Sequence, residues 1–310
     1  MGAAVSAASV SAASRDNVTI VLSEDSATYR TVAEALHHEL ERTAPGRFRV
    51  GVIDTAAVET TLADVPKNEV GLIVGVGVAA ATAVTESIAV RTPVLHTLVP
   101  RAAFDKLQAG RRSAGNTAPV SAIYLDQPPS RIMDLVHFAL PKRSRIGMIF
   151  GPDSAVFAKS YEMAARQIGL RFESETVATA EEIPRALERV LGRSDLLLAA
   201  PDAQVYTRST LQGILLSAYR ANSPVIGFSS AYVRAGALAA VYSTPEQIGR
   251  QAAEMILRAA GQTDWQLPAP QNPKYFSVEV NRDVARALGL SLEEDSQLLE
   301  RLKRSGGNES

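Results

Sequence analysis

From Val18 onward the chain repeats one unit: a short run of β-branched and apolar residues, then a segment whose apolar positions recur at helical spacing. Val18 to Leu22 reads as a strand, Tyr29 to Thr43 as a helix, and Phe48 to Ile53 as a strand. "VGLIVGVGVAAATAV", Val70 to Val84, begins as a buried strand and ends as a helix, and Pro93 to Leu98 is the next strand. A second series comes after it. Arg145 to Phe150 is strand-like, Ala155 to Ile168 helical, Arg171 to Val177 extended, Asp195 to Ala200 a buried strand, Thr207 to Ala221 helical and Pro224 to Ser229 a strand. Strands joined through helices pair in parallel, so two such series predict an α/β fold of two doubly wound parallel-sheet lobes side by side. With 310 residues the chain is also longer than one core ordinarily supports.

Such sheets place ligands beyond the carboxyl ends of their strands. The post-strand loops are therefore the candidate site: "SEDSATY" with Ser23 and Tyr29, the turn holding Gly75 and Gly77, and His96-Thr97 in the first half. The second half offers "GPDS" with Ser154, Pro201-Asp202, and Ser229 with Tyr232. These are small polar residues suited to presenting hydroxyls, amides and helix N-termini to a small ligand. Asp153, Ser154 and Asp202 are equally good helix caps. Capping boxes are predicted at "TAEE", Thr179 to Glu182, and at Thr244, with Pro245 in the first helical position and Gln247 closing the box.

Gly75 to Ala80 matches a relaxed dinucleotide fingerprint, but the strand Thr92 to Val99 carries no carboxylate to hold a ribose. A nucleotide-dependent α/β enzyme is thus the weaker alternative. His37 and His38 are adjacent on one helix, about 100° apart, and cannot chelate one ion together. His96 ends a strand in the candidate site, and His137 is expected on a helix packed against a sheet. No nucleophile elbow, Walker loop or zinc motif is present, so no catalytic residue, metal or cofactor is expected.

With 32 basic and 33 acidic residues the chain has no electrostatic footprint for nucleic acid, and Arg111-Arg112 reads as a solvated loop. No run approaches the ~20 apolar residues of a membrane span. The opening "MGAAVSAASVSAASRDN" is a low-complexity Ala/Ser tail that fits the small-residue end of a trimmed secretion signal, which points to a periplasmic location.

Several segments carry a family resemblance: "GALAAVYSTPEQIGRQAAEMILRAAGQ" from Gly236, "LPKRSRIGMIFGPDSAVF" from Leu140, "SDLLLAAPDAQVY", "SPVIGFSSAYVRAGALAAVYST" and "YFSVEVNRDVARALGL". Together, over Asn17 to Leu290, the chain resembles the substrate-binding proteins of ABC transporters, with the type I periplasmic binding protein fold, in the family that includes tryptophan and tyrosine binders. The resemblance implies a bilobed flytrap that binds an amino acid or related small molecule between its lobes, as a monomer, for the membrane subunits of an uptake system. It also implies that Asp202 meets a ligand amino group, that Tyr29 and Tyr232 stack on its apolar part, and that Ser154, Ser229 and Gly77 donate to a carboxylate. Where the family usually has Thr-Gly or Ser-Gly, this chain has Val76-Gly77.

The division expected is a tail at 1–16, a first lobe of 17–124 plus 245–262, a second lobe of 125–244 plus 263–292, and a C-terminal helix with a glycine-rich end at 293–310. Hinge strands are expected near Tyr124 to Gln127, which adds Asp126 to the ligand-binding set, near Ser243-Thr244, and near Gly261 to Trp265. Trp265, the sole tryptophan, is expected to cover the hinge or a sheet edge, and Leu298, Leu299 and Leu302 to form a stripe docked on their own lobe. A ligand sensor of the same fold not coupled to transport is the remaining alternative; no DNA-binding helix-turn-helix precedes Val18.

Overall fold

The computed structural model describes residues 16–64, 71–87, 92–113, 115, 118–260 and 265–306. The first fifteen residues of the Ala/Ser tail, the last four of the chain, and 261–264 of the third expected hinge lie outside them.

The first half runs β1 (Asp16–Leu22), α1 (Ala27–Thr43), β2 (Phe48–Asp54), α2 (Val58–Asp64), β3 (Leu72–Val76), α3 (Val78–Glu86), β4 (Val94–Val99), α4 (Arg101–Ser113) and β5 (Val120–Tyr124). All five strands are parallel, in the order β2-β1-β3-β4-β5. The second half continues α5 (Pro129–Ala139), β6 (Arg145–Phe150), α6 (Ala158–Gln167), β7 (Arg171–Thr176), α7 (Ile183–Leu191), β8 (Leu196–Leu198), α8 (Arg208–Arg220), β9 (Val225–Gly227), α9 (Ser230–Ala235) and β10 (Ala239–Tyr242). Then come α10 (Pro245–Ala259), β11 (Ser277–Val280), α11 (Arg282–Ala287) and α12 (Asp295–Ser305). Their sheet has the order β11-β10-β9-β8-β6-β7, parallel except for β11, which lies antiparallel on β10 at the edge.

Helix α10 returns to the first lobe. Its Ile248, Ala252, Met255 and Ile256 share one core with Val32, Leu36 and Leu40 of α1 and with β1, β3 and β4. The crossing is close because Gly249 lies against α1: a Cβ there would stand 2.5 Å from the Val32 carbonyl oxygen. The capping box expected at its start is formed, Thr244 accepting from Gln247 N–H and Gln247 from Thr244 N–H, with Pro245 at the first turn.

The third crossing differs from expectation. Trp265 and Leu267 pack on the first-lobe core, and Gln271 pairs with Ile123 on the free edge of β5. The chain therefore passes to the second lobe after 271, and Trp265, the described residue of the expected third hinge, belongs to the first lobe. The proline-rich segment lies along the first lobe because β5 has an unpaired edge to offer its backbone. All three crossings are tied together. Gln127 Nε2 donates to Ser243 Oγ at 2.9 Å, and Ser243 Oγ donates to the Tyr275 carbonyl at 2.6 Å.

Three further local readings are corrected or completed. "TAEE" forms no box: the Thr179 side chain makes no cap bond, and Glu182 instead accepts from Ala178 N–H at 2.7 Å. A box does form at Thr207 and Thr210, opening α8. Arg111 is not in a solvated loop but in the last turn of α4, 3% exposed, with Nη2 donating to the Ala118 carbonyl. Leu298 and Leu302 of α12 are buried in the second-lobe core, as their stripe implies.

Candidate functional site

In a sheet ordered 2-1-3-4-5 the connections diverge between β1 and β3, and the crevice outside that point is the natural ligand position. Ser23 follows β1 and Gly77 follows β3. Ser23 Oγ donates to the Val76 carbonyl at 2.8 Å and accepts from Ala80 N–H at 2.9 Å, closing the turn. Gly77 N–H donates to the Thr97 carbonyl at 2.8 Å. Gly77 is required twice over: its φ is +88°, in the region that favours glycine, and a Cβ would lie 2.6 Å from Ser23 Oγ and 3.0 Å from the Tyr29 ring. Ser23, Tyr29, Gly77 and Thr97 thus converge, and the first amides of α3, at Val78 and Ala79, have no carbonyl of their own helix to bond. Burial, and then the charge of Glu24, push the Tyr29 phenol's pKa up, so it remains a donor at neutral pH.

Gly75 is separate from this cluster. It lies inside β3, and a Cβ on it would meet His96 Nδ1 at 2.7 Å. It is a packing glycine. His96 is fully buried and edge-on to Phe104 of α4, and among the described residues neither ring nitrogen has a hydrogen-bond partner. Desolvation, assisted by Arg111, lowers its pKa to about 3. The Thr97 hydroxyl is likewise buried and unpartnered among the described residues, so its visible service to the turn is through its carbonyl.

The second lobe has its own divergence point between β6 and β8. There Asp202 is 8% exposed and accepts four hydrogen bonds within the lobe: from Ser154 N–H and Oγ–H at 3.2 and 2.7 Å, and from Gln204 and Val205 N–H at 2.9 and 3.1 Å. Gly151 makes this possible, since a Cβ there would stand 2.3 Å from Asp202 Oδ1. Both carboxylate oxygens and the Ser154 hydroxyl are thereby engaged in holding the two loops together. Tyr232 is 8% exposed, with its hydroxyl donating to the Tyr206 carbonyl at 2.6 Å and its ring 4.3 Å from that of Phe228. Ser229, half-buried, precedes α9 and makes no side-chain cap bond.

The two lobes touch beyond the carboxyl ends of β4 and β6. Arg101, the first residue of α4, places its guanidinium 5.4 Å from the ring centre of Phe157 in the other lobe. Asp126, between β5 and α5, accepts from Arg101 N–H at 2.7 Å, and burial raises its pKa. Apolar residues stand exposed at both rims: Val78 at the start of α3 is 43% exposed and Val156 after β6 is 73% exposed. Sequence reasoning passed over Arg101, Phe157 and these valines. Their signal was position alone, each lying just past a strand's carboxyl end.

The sequence matches the family model described as ABC transporter substrate binding protein over residues 17–301. Among curated proteins none matches it in sequence. Solved structures with the same fold include an ABC domain in complex with L-Trp from Streptococcus pneumonia, 16% identical with a TM-score of 0.64, covering 93% of this chain and 98% of that one. A ligand-free, open substrate binding protein with adhesive properties from Clostridium difficile is 18% identical with a TM-score of 0.71, covering 90% and 97%. A periplasmic ribose ABC transporter protein from Conexibacter woesei is 14% identical with a TM-score of 0.53, covering 94% and 98%.

Proposed function

Because this chain belongs to the family of ABC transporter substrate-binding proteins, we propose that it is the extracytoplasmic solute-binding component of an uptake system, holding an amino acid or related compound between its lobes. One observation carries the reading: Ser23, Tyr29 and Gly77 converge at the first-lobe divergence point, on the side where Arg101 reaches across to the second lobe. In this reading the amides of Val78 and Ala79 and the Tyr29 phenol offer hydrogen bonds to polar groups of the solute. Val78 and Val156, exposed here, are covered when the lobes close on its apolar part. Ser229 is the second-lobe hydroxyl left to contribute. Asp202 and Ser154 act behind it, holding the loop shape, and Tyr232 supports the wall from its buried position. Asp126 acts at the hinge, next to Arg101.

The mechanism is differential affinity. A solute that touches both lobes favours the closed state, and the membrane subunits distinguish closed from open, with no bond made or broken. The binding unit is a monomer that needs no nucleic acid and no cofactor. A thermal-shift screen of amino acids, small organic acids, sugars and nucleotides tests the reading. A native-state ligand at a hundred times its Kd stabilises by ~2.7 kcal/mol. The complex of the pneumococcal structure makes L-tryptophan the first compound to try. A shift with an amino acid, weakened by Tyr29→Ala, supports the reading; a shift with NAD or ATP alone overturns it.

A further inference from the structure

Strand β4 ends in a bulge: Thr97 pairs with Ile123 and Val99 with Tyr124, leaving Leu98 as the extra residue at φ +54°. A bulky residue in that region is strained. Bulges of this kind re-aim the chain beyond them, and such strain is held where a site depends on it. The residues re-aimed here are Pro100 and Arg101. The Arg101 backbone is held by Asp126, and its guanidinium stands 5.8 Å from the Tyr124 ring and 5.4 Å from Phe157. Its carboxylate neighbour on α4, Asp105, is 3.8 Å away with both side chains about half exposed. A pair that open to water is weak and is readily exchanged for a better partner.

Beside the guanidinium is a cavity of about 50 Å³ at the hinge end of the cleft, walled by Gln127, Phe157, Ser160, Tyr161 and Asn272. One water needs ~10–15 Å³ on this measure, so the space is large enough for a carboxylate group. We propose that this cavity is an anion subsite in which Arg101 receives the carboxylate of the solute, making Arg101 the residue that selects for a negatively charged ligand group. The proposal rests on the solute-binding reading above and deepens it. An anion there touches Phe157, Ser160 or Tyr161 from the second lobe and Arg101 from the first, so its binding is coupled to closure. Asp126 also lines the cavity. One of its oxygens is already taken by the Arg101 amide, and an incoming anion is opposed by whatever charge it keeps. Asp126→Asn is therefore expected to tighten anion binding.

The test uses the full chain with acetate alone as the first probe, following the Arg101 Nε–H resonance. L-tryptophan and L-tryptophanamide are then compared by calorimetry on wild type, Arg101→Gln and Arg101→Lys. The expected results are a saturable acetate shift, and a preference for the acid over the amide of about tenfold or more that collapses in Arg101→Gln and returns in part in Arg101→Lys. Arg101→Lys keeps the charge and so separates loss of the anion contact from loss of folding. An Nε–H resonance unmoved by acetate overturns the proposal. So does an acid preference that survives in Arg101→Gln, which would place the carboxylate at the Gly77 turn and leave the solute-binding reading intact. If acetate binds at Arg101 while no solute of the screen binds anywhere, the anion subsite stands and the solute-binding reading fails.

Discussion

The two lobes meet the cleft with different chemistry. In the second, polar groups are spent on one another: Asp202 accepts four hydrogen bonds, Tyr206 donates to the Leu198 carbonyl and Tyr232 to that of Tyr206. In the first, the turn is closed by a single serine hydroxyl, and His96, Thr97 and Ser121 are buried with side-chain atoms unpartnered among the described residues. Ser223 is the second lobe's own exception. An unsatisfied buried polar atom costs about 1–3 kcal/mol, so the first lobe gives up stability that the second retains. The difference teaches that an acid at a cleft-lining position is not thereby a ligand contact. Changes at the second lobe's cleft should show first in stability, and changes at the first lobe's turn in binding.

The sharpest test of that contrast is Asp202→Ala, which strips the acceptor from four buried donors. A loss of about 4 kcal/mol in denaturant unfolding is expected. Full stability with abolished solute binding would reverse the assignment and make Asp202 a direct contact. Of similar size is the acid response of the first lobe. The folded-state pKa of His96 is lowered from 6.5 to about 3, so the unfolded chain binds the proton more readily. Stability is fully present above the unfolded value and falls with pH through the window from 6.5 to about 3, at about 1.4 kcal/mol per unit. His96→Leu should flatten that window in pH-dependent unfolding. An unchanged slope would mean another group carries it.

Gly75→Ala is expected to cost about 2 kcal/mol by driving a methyl into His96, and the same substitution in a His96→Ala background should cost far less. Equal costs in the two backgrounds would show that the close approach of Gly75 to His96 is not what fixes the glycine. Smallest is Tyr29→Phe, which keeps the ring against Gly77 and removes the phenol. Solute affinity should fall by about 1 kcal/mol in calorimetry, with stability unaltered. A loss of stability with affinity intact would make Tyr29 a structural residue of the turn.

Much of this was legible in the sequence, because period-2 and period-3.6 patterns are local. The strands at Val18, Phe48 and Arg145, the helix after Thr244 and the docking stripe of Leu298 and Leu302 are all where their spacing puts them. The rest depended on partners distant in the chain. His96 sits on a strand buried on both faces, so alternation could not say which way it points. The engagement of Asp202 depends on a glycine fifty-one residues earlier, at Gly151, that leaves room for its carboxylate. The third crossing moved because "DWQLPAPQNP" has no periodicity, and its position is set by the open edge of β5. Arg101 was missed because its meaning is its reach to Phe157, a residue of the other lobe.

The central claim is that one small solute draws the two lobes together. Its most direct test is small-angle scattering of the purified chain, with and without the compound that most raises its unfolding temperature. The radius of gyration should fall on saturation, and Arg101→Gln, which removes the guanidinium facing Phe157, should weaken that fall for a carboxylate solute. Saturable binding with an unchanged radius of gyration would contradict it, because a solute held by one lobe alone gives a transporter nothing to distinguish.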